Sequence, residues 1–303
     1  MENHPKPRDP EWTILKLLQW TASYFKSRGI DSPRATAEIL LAHILKLRRI
    51  DLYLRYDQPL CSDELTQFKA LIKRRIDREP VAYIVGVKEF WSMDFTVTRD
   101  VLIPRPETEC LVEAALPLLP DNSNQDPGFE PKRVLELGTG SGAIILALAS
   151  ERPEQLFFAS DRSVKAVLLA KENARRHRLD HAVHFFCGDW LMPLGNGRCR
   201  FDVILSNPPY IPTGAIGRLQ PEIYKYEPIM ALDGDQDGLN CLRLIIGSAH
   251  RFLNDRGSLL LEIGQDQKPE VEKIIRGCGN YENIVFKKDY SGYDRVVQMR
   301  KKM

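Results

Sequence analysis

The loop S-N-P-P-Y-I-P at 206–212 follows an apolar run, Phe201–Leu205, that is typical of a buried strand. Proline cannot donate to a β-ladder, so the strand must end at Pro208 and Pro209. The loop therefore lies at the carboxyl end of a strand, which is where open α/β sheets bind their ligands. Its residue types suit one class of ligand, a planar amide or aryl amine whose nitrogen reacts with an electrophile.

Such an amine is a poor nucleophile, because its nitrogen lone pair is delocalised. Hydrogen-bond acceptors that bind both of its N–H groups turn the lone pair toward an electrophile. We expect the side-chain oxygen of Asn207 and the carbonyl oxygen of Pro208 to be these two hydrogen-bond acceptors. Pro208 and Pro209 keep the loop rigid, so that little reorganisation is needed in the transition state. Tyr210 is expected to cover the planar group by stacking. The alternative is a turn that merely ends a strand.

A second motif, E-L-G-T-G-S-G at 136–142, lies between a predicted strand and a predicted helix. Glycine adopts positive φ and lets a ligand approach the backbone closely. The candidate cofactor-binding loop is Gly138, Thr139, Gly140, Ser141 and Gly142. Asp161 ends the next predicted strand, where an acid can bind a ribose hydroxyl. The motif alone would also fit a plain tight turn.

The spacing of these glycines distinguishes two nucleotide cofactors. The dinucleotide fingerprint G-x-G-x-x-G would place its third glycine at position 143, which is alanine here. Glu136 also suits a ligand with positive groups, and S-adenosylmethionine carries a sulfonium and an ammonium but no phosphate. The motif therefore favours S-adenosylmethionine over a nicotinamide dinucleotide. Asp189 and Trp190 follow the third predicted strand. We expect Asp189 to bind the adenine amino group of the cofactor and Trp190 to flank the adenine ring or the sulfonium.

The elements that must position these motifs follow an alternating pattern. Short apolar runs predict seven strands, near 134–137, 156–160, 183–187, 201–205, 258–263, 283–287 and 294–299. Helical periodicity predicts helices near 141–151, 163–178, 238–253 and 268–277. Alternation of this kind predicts an α/β fold with a mostly parallel sheet and helices on both faces. A tight loop separates the last two strands, which predicts an antiparallel pair.

Four segments differ in composition. Residues 1–11 are polar and proline-rich and are expected to form a flexible leader, unlike a signal or transit peptide. Helical spacing of apolar residues over 12–79 predicts a small helical domain without a catalytic cluster. Residues 80–103 are β-rich and predict a hairpin linker. Residues 104–303 form the second predicted domain, which contains an exposed loop at 120–132.

The composition argues against several classes of protein. The formal net charge is +2 at pH 7 over 303 residues, so bulk charge predicts neither nucleic-acid nor membrane binding. No apolar run approaches the ~20 residues that span a bilayer. The six cysteines include no C-x-x-C pair, which argues against a zinc site and favours reduced thiols in a cytoplasmic protein.

Together these motifs resemble the HemK/PrmC family, the protein-(glutamine-N5) methyltransferases of peptide chain release factors. The matching stretches, which span most of residues 12–300, are E-P-V-A-Y-I-V-G (79–86), E-F-W-S (89–92), I-P-R-P-E-T-E (103–109), V-L-E-L-G-T-G-S-G (134–142), G-D-W (188–190), S-N-P-P-Y-I (206–211), Y-E-P (226–228), A-L-D-G (231–234), D-G-L (237–239) and D-R-V-V (294–297). I-P-R-P-E-T-E together with N-P-P-Y is specific to the family, whereas N-P-P-Y alone is shared with adenine and guanine methyltransferases.

The resemblance implies a Rossmann-like class I S-adenosylmethionine-dependent methyltransferase domain and a helical domain that docks the substrate. The acceptor would be the glutamine of a Gly-Gly-Gln (GGQ) tripeptide on a bacterial class 1 release factor. The products would be N5-methylglutamine and S-adenosylhomocysteine. The residues that would contact the methyl donor are Gly138 to Gly142, Asp161, Asp189, Trp190 and Asn207. Those that would hold the glutamine side chain are Asn207, Pro208, Pro209 and Tyr210.

The same resemblance places Arg105, Thr108 and Glu109 near the substrate pocket. Arg105 has an alternative as a structural ion pair with Glu107 or Glu109. No metal is implied. The protein is expected to act as a cytoplasmic monomer, without stable nucleic-acid binding and without a membrane partner.

Three other functions remain open at this level. An N6-adenine or N2-guanine nucleic-acid methyltransferase would use the same loop, but a flipped base needs a basic surface. A non-catalytic relative would be free to lose any of the site residues Gly138, Gly140, Gly142, Asp161 and Asn207, all of which are present here. A nicotinamide-dependent oxidoreductase is disfavoured by the glycine spacing and by the lack of a proton donor in the loop.

Overall fold

The structure is a computed structural model that describes residues 12–122, 128–195 and 199–303. The expected leader at 1–11 and part of the expected loop at 120–132 lie outside the described residues. The chain divides into two compact units between Gly86 and Val87. In the part of the chain that the structure describes, no helix is long and apolar enough to cross a bilayer.

The first unit is a helical bundle. Its helices are α1 (Ile14–Ser27), α2 (Pro33–Leu45), α3 (Arg49–Leu54), α4 (Ser62–Ile76) and α5 (Val81–Val85). Apolar side chains at helical spacing form its core, and Phe25, Leu40, Leu41 and Phe68 are at most 1% exposed. The helical bundle predicted for this part of the chain is confirmed.

The segment that precedes the hairpin differs from its prediction. Residues 81–85 form α5, which ends at Gly86, where φ is +76°. Ile84 of this helix is buried in the core of the bundle. A short apolar run fits a helix or a strand equally well by periodicity, and packing decides between them. The β-rich prediction was therefore wrong for these residues.

The second unit begins with a hairpin and continues as an alternation of strands and helices. Its strands are β1 (Val87–Phe90), β2 (Met93–Thr96), β3 (Arg133–Leu137), β4 (Leu156–Asp161), β5 (Val183–Cys187), β6 (Phe201–Ser206), β7 (Leu253–Glu262), β8 (Tyr281–Lys288) and β9 (Asp294–Lys301). Its helices are α6 (Glu109–Ala115), α7 (Ala143–Glu151), α8 (Val164–Arg176), α9 (Thr213–Ile216), α10 (Pro221–Tyr224), α11 (Asn240–Ala249) and α12 (Lys268–Cys278). Single 3-10 turns lie at Pro106–Thr108, Leu116–Leu118, Met192–Leu194 and Ile229–Ala231.

Strands β3 to β9 form a seven-stranded sheet of order β5-β4-β3-β6-β7-β9-β8. Neighbouring strands are parallel except at β9, which runs antiparallel to both β7 and β8. Helices α6 and α7 pack with Val134 and Leu205 on one face, and α11 and α12 pack with Leu135 and Ile204 on the other. The predicted α/β fold and the antiparallel pairing of the two closing strands are confirmed.

The strand order reverses between β3 and β6. From β3 the chain moves outward to β4 and β5, and it then returns to the other side of β3 for β6. Such a switch point opens a crevice at the carboxyl ends of the strands. Leu137 is in register with Ser206, whose hydroxyl donates to the Leu137 carbonyl at 2.7 Å. Gly138 and Asn207, the next residues, therefore begin neighbouring loops.

A buried amide ties the hairpin and the glycine loop to α8. Asn173 is 0% exposed, and its Oδ1 accepts from the Thr96 N–H at 2.8 Å. Its Nδ2 donates to the carbonyls of Thr96 at 3.0 Å and Ser141 at 2.9 Å. The carboxamide is suited to this position because it carries an acceptor and two donor hydrogens.

Replacing Asn173 with alanine is expected to lower the free energy of unfolding by about 2–3 kcal/mol, because buried backbone groups lose their partners. Urea denaturation measures the change. The control is Glu172→Ala at the exposed neighbouring position, which should alter stability by less than about 0.5 kcal/mol. Equally small losses in both variants would contradict the structural role of the Asn173 amide.

Candidate active site

The glycine-rich segment joins the end of β3 to the start of α7. Gly138, Gly140 and Gly142 have φ of +73°, +56° and +83°, values that side-chain-bearing residues adopt only with strain. A Cβ on Gly142 would lie 3.2 Å from the Cβ of Ala170, whereas a Cβ on Gly140 would meet no atom within 4 Å. Gly142 thus allows close packing of α7 on α8, and Gly140 leaves the backbone open to a ligand.

Asp161 at the end of β4 fixes the conformation of this loop. Its Oδ2 accepts from the Gly140 N–H at 3.0 Å, and its Oδ1 accepts from the Ser163 N–H at 2.8 Å. Two further loop amides donate to the carbonyl of Ser160, at 2.8 and 2.9 Å. The glycine loop is therefore held from the neighbouring strand, and one carboxylate serves both the loop and the start of α8.

A cavity of about 410 Å³ opens at the carboxyl ends of β3 to β6. The sequence-predicted residues that line it are Arg105, Thr108, Gly138, Thr139, Gly140, Ser141, Asp161, Asp189, Trp190, Asn207 and Pro209. The fold thus brings together four motifs that are far apart in sequence, namely I-P-R-P-E-T-E, the glycine loop, G-D-W and N-P-P-Y. The predicted residues outside its wall are Glu109, Gly142, Pro208 and Tyr210.

Two of these four residues have side-chain contacts that the sequence did not predict. Glu109 was expected near the pocket, but its Oε1 accepts from the Trp91 N–H at 2.9 Å and so anchors the hairpin. Tyr210 was expected to stack over the acceptor, but its hydroxyl donates to Glu262 Oε1 at 3.3 Å. Pro208 is buried. The hydrogen bond fixes the hydroxyl end of Tyr210, and the stacking of its ring on the acceptor stays a prediction.

Hydrogen bonds hold the N-P-P-Y loop on both sides of its prolines. Asn207 Nδ2 donates to Thr108 Oγ1 at 3.2 Å. Gln267 Nε2 donates to the Tyr210 carbonyl at 2.9 Å, while its Oε1 accepts from the Gly264 N–H at 2.8 Å. Among the described residues, no hydrogen bond engages the Oδ1 of Asn207. This oxygen is therefore available to a ligand at the cavity wall.

Arg105 forms an ion pair with a residue that is distant in sequence. Its guanidinium lies 2.5 Å from Oε1 of the buried Glu227. The alternative pairing with Glu107 or Glu109 was therefore wrong. Burial raises the pKa of the Glu227 carboxyl, and the charge of Arg105 opposes that rise. The pair leaves Arg105 at the cavity wall with its charge compensated.

Sequence reasoning missed three polar residues that support the site. They are Glu227, Glu262 and Gln267. Glu262 is 1% exposed at the carboxyl end of β7. Its signal was an acid that directly follows a run of leucines in a predicted strand, a position that is costly to bury without a role. Glu227 lies within the Y-E-P stretch, to which no chemistry was assigned.

The side chain of Glu136, which was expected to suit a ligand with positive groups, contacts the glycine loop. It is 0% exposed and outside the cavity wall, and its Oε2 accepts from the Thr139 hydroxyl at 2.6 Å. Burial raises its pKa to about 8, although hydrogen bonds from Thr139 and the Ile145 amide oppose the rise. The free protein therefore holds this carboxyl largely protonated at neutral pH. Its role is to fix the turn through Thr139.

The raised pKa of Glu136 predicts a pH-dependent stability. The folded protein binds this proton more tightly than the unfolded chain, whose pKa is 4.5. The resulting stabilisation is complete below that value and is lost as the pH rises toward about 8. Glu136→Gln stays neutral, so its unfolding midpoint should fall less over this range than that of the wild type. Glu172→Gln is the exposed control, and parallel profiles for wild type and Glu136→Gln would contradict the assignment.

Comparison with known proteins connects this site to a family. Residues 16–86 match the family model described as PrmC N-terminal domain, and residues 115–218 match that described as Methyltransferase small domain. Among solved structures, a human methyltransferase 10 domain containing protein is similar with a TM-score of 0.52, over 70% of this chain and 89% of that chain, at 16% identity. This likeness shows the fold alone.

Two curated relatives match nearly the whole chain. A release factor glutamine methyltransferase from Geobacter sulfurreducens is 42% identical over 94% of this chain and 96% of its own length. A protein of the same name from Vibrio cholerae is 41% identical, also over 94% of this chain and 96% of its own length. These matches confirm the resemblance that the motifs indicated. The chain therefore belongs to the release factor glutamine methyltransferase family.

Proposed function

We propose that this protein transfers a methyl group from S-adenosylmethionine to the side-chain amide nitrogen of the glutamine in the Gly-Gly-Gln tripeptide of class 1 peptide chain release factors. The observation that carries the proposal is that the glycine loop and Asn207 line one cavity. A donor loop and a side chain suited to a planar amide thus face the same space, as direct transfer requires. Family membership supports the same acceptor, since the curated relatives are named for it.

The cavity suits S-adenosylmethionine by its shape and its polar groups. Gly140 presents open backbone, and the Trp190 ring lies 3.8 Å from where a Cβ of Gly138 would be. Asp161 and Asp189 offer carboxylates for hydroxyl and amino groups. When bound, S-adenosylmethionine supplies an electrophilic methyl group. The residues proposed to hold it are Gly138, Thr139, Gly140, Ser141, Asp161, Asp189, Trp190 and Asn207, with Gly142 supporting the loop.

Asn207 and Pro208 are proposed to bind the acceptor amide. Asn207 Oδ1 and the Pro208 carbonyl each accept one N–H of the glutamine side chain, so that the nitrogen lone pair leaves conjugation and faces the donor. Pro209 at the cavity wall contacts the aliphatic part of the side chain. Because the prolines restrict the loop, these oxygens need little reorganisation during transfer. The methylated nitrogen is cationic and loses a proton to water, so the site needs no strong base.

The helical unit is proposed to dock the release factor. It exposes large apolar side chains that its core does not use, namely Leu15, Trp20, Ile50, Tyr53, Leu54 and Tyr56. Contiguous apolar patches and aromatic side chains are features of protein interfaces, and Ile50, Tyr53 and Leu54 share one face of α3 because they are three and four residues apart. We propose that docking involves one copy of the protein and neither nucleic acid nor a membrane.

The site of modification distinguishes the proposed glutamine acceptor from a nucleic acid. Incubation with methyl-labelled S-adenosylmethionine and a release factor should add one methyl group to the glutamine of its Gly-Gly-Gln tripeptide, because the acceptor geometry suits that amide. Mass spectrometry of the digested factor locates the label. The control is a factor whose tripeptide glutamine is replaced by alanine. Label on RNA or DNA, with none on the factor, would refute the proposed acceptor.

The side chain of Asn207 is proposed to contact the acceptor amide during transfer. Its replacement by alanine should lower turnover by about 10²–10³-fold, which is the scale of one lost preorganised polar contact. Binding of S-adenosylmethionine, measured by calorimetry, should weaken far less than turnover, because Asn207 is only one of the eight residues proposed to hold the donor. Asn254→Ala is a matched control, because that half-buried amide donates to Asp202 Oδ1 at 3.1 Å outside the cavity wall. Wild-type turnover in Asn207→Ala would remove Asn207 from the mechanism.

A further inference from the structure

The 3-10 turn at Ile229–Ala231 presents apolar side chains to which the proposed reaction gives no role. Ile229 is 58% exposed and Met230 is 48% exposed, and both line the cavity. A side chain that lines a cavity and is also half open to solvent lies at the rim of that cavity. Apolar surface at such a rim is covered when a ligand fills the cavity. These two residues therefore mark a contact with whatever enters.

The chain that precedes this turn is held to the segment before α6. Oε1 of the buried Glu227 lies 2.5 Å from the Arg105 guanidinium, and its Oε2 accepts from the Ile103 N–H at 3.4 Å. The Arg99 guanidinium lies 4.9 Å from the centroid of the Tyr226 ring, a distance at which a cation and an aromatic face attract each other. These contacts fix the start of the turn.

The chain that follows the turn is held to the acceptor loop, residues 206–212. The Ile211 N–H donates to the Leu232 carbonyl at 3.0 Å, and the Gly234 N–H donates to the Ile211 carbonyl at 2.8 Å. Within the turn, the Leu232 N–H donates to the Ile229 carbonyl at 2.9 Å. The Leu232 side chain is 5% exposed. The turn is therefore clamped at both ends, and its backbone cannot move aside without breaking these contacts.

A second stretch of the chain lines the same cavity and is joined to the turn. It contributes Leu102 and Arg105 to the wall, and the ion pair of Arg105 with Glu227 connects the two stretches. Thr108, three residues after Arg105, accepts from Asn207 Nδ2 at 3.2 Å. Both stretches therefore border the approach to Asn207, and the ion pair fixes the distance between them.

The acceptor side chain is too short to leave its backbone outside. Glutamine spans about 5 Å from Cα to the amide nitrogen, since four bonds of about 1.5 Å join these atoms. When the amide reaches Asn207, the peptide that carries it must enter the rim, and the residues beside the glutamine lie between the two stretches. Glycine, which lacks a Cβ, fits where a larger residue would meet one of the walls.

We propose that Ile229 and Met230 are specificity-determining residues, which select glycine at the position directly before the acceptor glutamine. This inference rests on the proposed function, because it assumes the Gly-Gly-Gln tripeptide as substrate. The two side chains form the apolar wall against which this glycine packs, and a Cβ on the glycine would overlap them. Because the turn is clamped at both ends, it does not yield to the larger residue.

The experiment compares two release factors as substrates, one with its native Gly-Gly-Gln tripeptide and one in which alanine replaces the second glycine. Methyl-labelled S-adenosylmethionine and mass spectrometry give kcat/KM for the acceptor glutamine of each factor. The wild type should prefer the native factor by about 10²-fold, the scale on which a pocket rejects a small change in apolar volume. Ile229→Ala and Met230→Ala should each reduce this preference to about tenfold or less, because they vacate the space that the added Cβ needs.

Met192→Ala is the matched control. Met192 also lies in a 3-10 turn and is 79% exposed, but it is outside the cavity wall. This variant should keep the wild-type preference. Any effect of the alanine on the folding or docking of the factor itself is the same for all four enzymes, so it cancels when their preferences are compared.

Two results would overturn the inference. One is an equal kcat/KM of the wild type for both factors, and the other is a preference in Ile229→Ala and Met230→Ala as strong as that in Met192→Ala. Failure of the proposed function looks different, since the wild type would then leave the glutamine of the native factor unmodified. A preference that falls only in the two rim variants supports the inference, because a general loss of stability or of donor binding lowers both rates alike.

Discussion

The parallel pairing of β3 with β6 is the constraint on which the site depends. The register that sets Leu137 beside Ser206 makes both strands end at one level, so Gly138 and Asn207 start their loops side by side. In sequence, β4 and β5 come between β3 and β6, but in the sheet they lie on the opposite side of β3 from β6. This reversal opens the crevice at the switch point. A slip of this register would separate the glycine loop from the acceptor loop, even if every other element formed.

Around this crevice, carboxyl groups serve as structural acceptors. Asp161 accepts hydrogen bonds from two backbone amides, Glu227 forms an ion pair with Arg105, and Glu136 accepts a hydrogen bond from the Thr139 hydroxyl. Burial raises the pKa of Glu136 to about 8 and that of Glu262 to about 7. These two groups therefore carry reduced charge at neutral pH while they keep their acceptor oxygens. The cost of burying them is moderated in this way, and the loops gain fixed hydrogen-bond directions.

The sequence predicted the parts of this structure that depend on local pattern. The alternation of strands and helices and the motif loops depend on periodicity and on glycine and proline, which act within a few residues. The helix at 81–85 escaped prediction because its conformation is set by the packing of Ile84 in the bundle. The pairing of Arg105 with Glu227 and the contact of Tyr210 with Glu262 join residues that are far apart in sequence. Local spacing carries no information on such partners.

The placement of these groups also accounts for the kind of acceptor that the cavity suits. A hydroxyl acceptor would need a base that removes its proton during attack. Near the loop, Glu227 and Glu262 are buried outside the cavity wall. Asp233, which lines the wall, accepts from the Thr213 hydroxyl at 2.7 Å and the Asp235 N–H at 2.9 Å. What faces the cavity there is the carboxamide of Asn207, whose NH₂ group is held by Thr108 and whose oxygen is left available. An acceptor that presents N–H groups and loses its proton only after attack needs no base at this cavity wall. In the proposed reaction, the rigidity of the loop, which the hydrogen bonds of Tyr210 with Glu262 and Gln267 maintain, takes the place of acid–base chemistry.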